Sequence, residues 1–147
     1  MNELESLFTG KVPPAIYRLK SRATKESLAR QIEAHGWRCF VLDGDKIADK
    51  PSFLKACAES MHFPDYFGKN WDAFEECLND LAWLPAPGYM LLYDNVENFA
   101  RHAPNDWSVA HDILTEAVKR WQNEQIPFVV LLRKTGQTVR SVPHLPK

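Results

Sequence analysis

Tyr66-Phe67-Gly68-Lys69-Asn70-Trp71-Asp72-Ala73-Phe74-Glu75-Glu76-Cys77-Leu78-Asn79-Asp80-Leu81 joins a glycine-bearing aromatic loop to a short helix with one apolar face and one acidic face. Trp71, Phe74, Leu78 and Leu81 recur at i, i+3, i+7 and i+10, with Cys77 in the same stripe, which is the period of a helix buried along one side. Asp72, Glu76 and Asn79 then share the opposite face, flanked by Glu75 and Asp80, so the carboxylates project together. From Asp65 to Asp80 five carboxylates stand against one cation, Lys69. Asn70 is well placed as an N-cap, and an aspartate in the first turn meets the positive end of the helix dipole, which accounts for Asp72 alone. Clustered charge is ordinarily a solvated face. The loop adds something further, because Tyr66 and Phe67 precede Gly68, a residue free to take positive φ, and so set an aromatic plate beside the acidic helix. Such a surface suits a basic partner.

Working outward, Pro64 ends a helix that Pro51 opens and that runs to about Met61. Before it, Arg38 to Asp43 reads as a strand turned by Gly44 and Asp45. Thr24 to His35 reads as a helix capped by Thr24 with Gly36 at its end, and Ala15 to Leu19 as a short strand. After the acidic helix, Pro85, Pro87 and Gly88 make a break. Tyr89 to Tyr93 is then a continuous apolar run of the kind buried on both faces of a parallel sheet. A long helix follows, with Asp106 as its cap and Val109, Ile113, Leu114, Ala117, Val118 and Trp121 on its inward side. Pro127 precedes the last apolar run, Phe128 to Leu132. Strands alternating with helices predict an α/β fold, a small parallel sheet of three to four strands packed with helices through right-handed crossovers.

The run Pro64-Asp65-Tyr66-Phe67-Gly68-Lys69-Asn70-Trp71-Asp72-Ala73-Phe74-Glu75-Glu76-Cys77-Leu78 resembles the recognition loop and helix of the barstar family, intracellular inhibitors of secreted ribonucleases. The similarity runs from about Cys39 to Arg133. It implies a barstar-like domain over 38–133, which leaves 1–37 as an N-terminal strand–helix extension packed on the same domain; residues 134–147, with Gly136, Pro143 and Pro146, read as a loose tail. It also implies that Tyr66, Gly68, Asn70, Asp72 and Glu76 face the partner's active site. Phe67, Trp71, Glu75, Asn79 and, on the later helix, Glu124 complete the expected partner-binding set. Three positions depart from the pattern. The family's founding member has aspartate at the position of Glu76 and tryptophan at that of Glu75, and Arg120 stands where the family leads one to expect a carboxylate.

Composition fits one domain, with 147 residues, 45% hydrophobic and 25% charged. A formal net charge of −1 gives no global attraction to nucleic acid or membrane, so electrostatic function must come from local segregation. Between Lys11 and Arg38 seven basic residues, Lys11, Arg18, Lys20, Arg22, Lys25, Arg30 and Arg38, stand against Glu26 and Glu33, while the central helix is acidic. Cys39, Cys57 and Cys77 lack Cys-x-x-Cys spacing and sit among apolar neighbours, as reduced core thiols do. No basic start followed by an apolar run opens the chain, and no segment approaches the roughly 20 apolar residues of a membrane span. A cytoplasmic location is expected.

Two other functions compete. Carboxylates one helical turn apart can serve as general acid and base or hold a hard divalent cation, which would make the chain a hydrolase or metal-dependent enzyme. Against this, the five histidines are dispersed, with no His-Glu-x-x-His, no Gly-x-Ser-x-Gly elbow and no phosphate-cradling glycine cluster. Alternatively the basic N-terminal third, where Tyr17 lies among Arg18, Lys20 and Arg22, could bind nucleic acid, although the same residues interleaved with Leu19, Leu28 and Ile32 make an ordinary amphipathic element. The expectation is therefore a ribonuclease or ribonuclease-like toxin as partner, bound stoichiometrically in an immunity-like role, with no catalysis, no cofactor, no metal, and no direct contact with nucleic acid or membrane.

Overall fold

A computed structural model of the protein describes residues 3–64 and 70–146. Tyr66, Phe67 and Gly68 lie outside the described residues. The elements run α1 (Glu5–Phe8), β1 (Ile16–Arg18), α2 (Lys25–Ala34), β2 (Arg38–Asp43), α3 (Lys50–Ser60), α4 (Trp71–Asp80), β3 (Tyr89–Asp94), α5 (Val96–His102), α6 (Pro104–Asn123) and β4 (Phe128–Leu132). The strands form one four-stranded sheet, parallel throughout, in the order β1-β4-β3-β2. The fold is α/β, of the barstar-like kind that the sequence predicts.

The side chains alternate along each strand and so divide the core into two layers. Phe40 and Leu42 of β2, Tyr89, Leu91 and Tyr93 of β3, and Phe128, Val130 and Leu132 of β4 face α3, α4, α5 and α6. Met90 and Leu92 of β3 and Val129 and Leu131 of β4 face the other way, where Leu4, Leu7, Leu28 and Ile32 of the N-terminal segment cover them. Thus the β1–α2 segment supplies both an edge strand and the helical layer over the second face. Thr24 caps α2 by accepting the Ser27 N–H at 3.0 Å, and Asp49 and Ser52 form a reciprocal capping box at the start of α3, with Pro51 in its first turn.

An ionic cluster around the buried Asp94 fixes this segment to the carboxyl end of the sheet. Asp94, only 7% exposed, closes β3 with Arg133 Nη1 at 3.6 Å, Lys134 Nζ at 3.8 Å and Lys25 Nζ at 4.0 Å. Arg133 Nη2 also donates to the carbonyl oxygens of Ala23, at 2.6 Å, and Ser21, at 3.3 Å. One guanidinium therefore holds both the strand end and the loop leading into α2. Nearby, Gly44 lies so close to the turn between β3 and α5 that a Cβ there would stand 2.0 Å from the Asn95 carbonyl oxygen, so only glycine permits this approach.

Three features differ from the expectation. The segment after β3 is two helices: α5 is only seven residues long, and Ala103, at φ −138° and ψ 66°, breaks the chain before Pro104 opens α6 at its first turn. Asp106 consequently sits inside the first turn and is not the cap. Val109 points outward at 38% exposure, and Trp107 and Ala110 take the inward places instead. The last segment, read as loose, packs on the domain: Val139, Val142 and Leu145 are buried, and Arg18 exchanges backbone hydrogen bonds with Pro143 and Leu145 at 2.7 and 2.9 Å. Those bonds satisfy the outer edge of β1, which would otherwise be open.

Candidate functional site

The acidic helix is set in place by its ends and its buried face. Asn70 Oδ1 accepts the Ala73 N–H at 2.8 Å, the N-cap bond that residue type and position predict, so its side chain is spent on starting the helix. At the other end Leu81 takes the left-handed conformation (φ 49°) and its N–H returns to the Cys77 carbonyl at 3.2 Å. Phe74, Cys77, Leu78 and Leu81 are buried, and Phe74 packs edge-on against Phe53 with ring centroids 5.4 Å apart. Trp71 is half-buried between the two environments: its ring lies 5.9 Å from Phe53 and 6.0 Å from Phe74, with Lys50 Nζ 5.5 Å from its centroid. Phe74→Ala is expected to lower stability by about 3–5 kcal/mol through lost burial plus a cavity. A denaturant titration in which this variant matched the wild-type midpoint would mean that the helix is docked the other way round.

Asp72, Glu75, Glu76 and Asp80 are exposed on the outer face, and among the described residues none of them enters an ion pair. Beside them runs α6. Trp121 Nε1 donates to the Leu78 carbonyl at 3.1 Å, tying the last turn of α4 to the last turn of the longer helix. Between the two lies an open polar groove. Asp72, Glu75, Glu76, Asn79 and Asp80 line one wall, and Glu116, Lys119, Arg120 and Asn123 the other. Asn79 is half-buried, with its Oδ1 enclosed and unpaired. Lys119 pairs with Glu116 at 3.7 Å, which leaves Arg120 as the cation that confronts the carboxylates without an ion pair among the described residues.

Of the residues singled out in the sequence, Asp72, Glu75, Glu76 and Asn79 thus come together, and Trp71 sits at the base of their helix. Glu124 is exposed at the C-cap of α6 and does not line the groove. Glu116, Lys119 and Asn123 were not singled out. Their signal is present all the same, since 116, 119, 120 and 123 recur at i, i+3, i+4 and i+7 and so form one face of a helix.

The family model described as Barstar (barnase inhibitor) matches residues 37–133, more than half of the chain. The chain belongs to the Barstar family. The Barstar match contains β2, β3, β4 and both walls of the groove, whereas β1, α1, α2 and the C-terminal segment lie outside it. Among curated proteins none matches in sequence. Solved structures similar in fold include the Cdc6p protein of Pyrobaculum aerophilum, with a TM-score of 0.58 and 16% identity over 97% of this chain and 43% of that one. The ORC2 protein of Aeropyrum pernix in its ADP form gives a TM-score of 0.59 and 12% identity over 95% of this chain and 40% of that one. This Barstar-family chain therefore spans less than half the length of either, and at such identities the likeness is one of fold.

Burial pushes the Cys39 thiol up to about 12, helped by Glu33, and raises Cys57 and Cys77 as well, the last also under the influence of Glu76 and Asp80. None of the three supplies a thiolate at neutral pH. Among the described residues no group of three or more His, Cys, Asp and Glu side chains is placed to hold a metal ion, and no helix is long and apolar enough to cross a membrane.

Proposed function

We propose that this protein is a stoichiometric inhibitor of a ribonuclease or ribonuclease-like toxin, an immunity-like role in the cytoplasm that involves no catalysis by the chain itself. The carboxylates of α4 enter the partner's basic cleft and occupy the places of substrate phosphates. The observation that carries this reading is the exposed acidic face of α4, without an ion pair among the described residues, in a domain of the Barstar family. A carboxylate array serving only for solubility has no need of one helix face, a polar trough beside it and a half-buried tryptophan at its base. Complementary charge speeds encounter and rejects wrong partners, and the lifetime of the complex rests on a few desolvated anchors. Trp71 and Asn79 are suited to be anchors, and Asp72, Glu75 and Glu76 to steer. Glu76, one methylene longer than the founding member's aspartate, and Arg120 in the facing wall select a partner whose cleft differs from that of the founding member's target.

The test is kinetic. With a ribonuclease inhibited at one-to-one stoichiometry, association should slow steeply as salt rises while dissociation changes little, because attraction between exposed charges is screened over about 8 Å near physiological ionic strength. Glu76→Gln should lower the low-salt association rate and flatten the slope. Identical slopes for Glu76→Gln and wild type would remove Glu76 from steering, and nucleotide hydrolysis by the protein alone would hand the case to an enzyme.

A further inference from the structure

Away from the groove, a second concavity of about 690 Å³ opens between α1, the end of β1 and the C-terminal segment. Its size falls within the roughly 300–1,000 Å³ of small-molecule sites. Every residue that lines it lies outside 37–133, so it belongs to the parts of this chain that the Barstar match does not include.

The lining combines two properties. Leu19 and Leu145, both buried, and Pro146 give it an apolar wall. Charge at the rim is unevenly spent. Glu3 accepts the Ser21 hydroxyl at 2.5 Å and Glu5 pairs with His35 at 3.6 Å, so both carboxylates are engaged with residues behind the lining. Lys11, Arg18 and Lys20 have no ion pair among the described residues; Arg18 commits only its Nε, to the Val142 carbonyl at 2.6 Å. An apolar wall and three cations without an ion pair among the described residues, at one opening, describe a complement for a molecule with an apolar body and an anionic head.

We propose that this cavity binds a small amphiphilic organic anion of the carboxylate class, its hydrocarbon part against Leu19, Leu145 and Pro146 and its carboxylate among Lys11, Arg18 and Lys20. Because the site joins α1 to the C-terminal segment, occupancy fastens both to the edge of the sheet. The proposal is independent of ribonuclease inhibition.

Decanoate is the probe, applied below its micellar range to the full chain and followed by calorimetry and by the melting temperature. One molecule should bind per chain and raise the melting temperature as binding to the folded state requires. Decanol, with the same tail and no charge, should bind about tenfold more weakly, as should decanoate to the double variant Lys11→Glu/Lys20→Glu, whose positions are exposed. Thr9→Trp, at an exposed residue of the rim, should fill the opening and abolish binding while the protein stays folded. Failure of decanoate to saturate at one per chain overturns the proposal. So does equal binding of decanol, and so does wild-type affinity in both variants.

Discussion

Cutting the chain back to residues 37–133 is expected to abolish cooperative folding, even though that stretch is the whole of the Barstar match. The residues on the second face of the sheet decide this. Met90, Leu92, Val129 and Leu131 are fully buried, and in the full chain the layer over them is built from Leu4, Leu7, Tyr17, Leu19, Leu28 and Ile32. Each such side chain loses about 1.5–3 kcal/mol when returned to water, and a domain of this size has only about 5–15 kcal/mol in total. The cut also strips β1 from β4, which leaves an apolar strand with an open hydrogen-bonding edge and invites association. Circular dichroism and a thermal melt of the fragment should show no cooperative transition, or an aggregated product. A sharp melt near that of the full chain would mean that the first 36 residues are an accessory layer and not part of the folding unit.

Elements whose signals are local were legible in the sequence. β2 and β4 fall on the residues that their apolar runs predict, α2 and α4 begin at their polar caps, Thr24 and Asn70, and Pro51 marks the first turn of α3. What escaped depends on distant partners or on short length. At seven residues α5 is two turns, too few to establish a helical period, and α1 is a single turn. The burial of Val139, Val142 and Leu145 depends on a place at the sheet that only the fold provides. The same holds for Asp94: nothing in Tyr-Asp-Asn announces that Lys25, Arg133 and Lys134 will surround it. At the candidate site, the acidic face was readable from its own helix, because carboxylates at i and i+4 share a side whatever the tertiary structure. The facing wall was not, since which face of α6 turns toward α4 is set by Trp121 reaching the Leu78 carbonyl across 43 residues.

Asp72→Ala combined with Glu76→Ala should leave the protein folded and nearly as stable as wild type while destroying tight binding to the ribonuclease proposed as its partner. Both side chains are exposed and neither makes an ion pair among the described residues, so their removal takes nothing from the core. Asp72 contributes to the helix only through the dipole at its first turn, about 0.3–1 kcal/mol. In a complex the balance reverses. Truncating one partner of a desolvated interfacial charge pair costs about 2–5 kcal/mol, a range drawn in part from the Barstar family's own complex, because the facing cation is left buried without its counter-charge. The two positions stand one helical turn apart and would share that cationic surface, so the double variant should lose less than the sum of the single losses. Glu124→Ala, at a residue outside the groove, is the internal control and should bind almost as wild type. Measured dissociation constants alongside melting temperatures separate the outcomes: a collapse in stability with unchanged affinity in the folded fraction would make these carboxylates structural, whereas a loss confined to Glu124→Ala would move the interface off α4 and onto the end of α6.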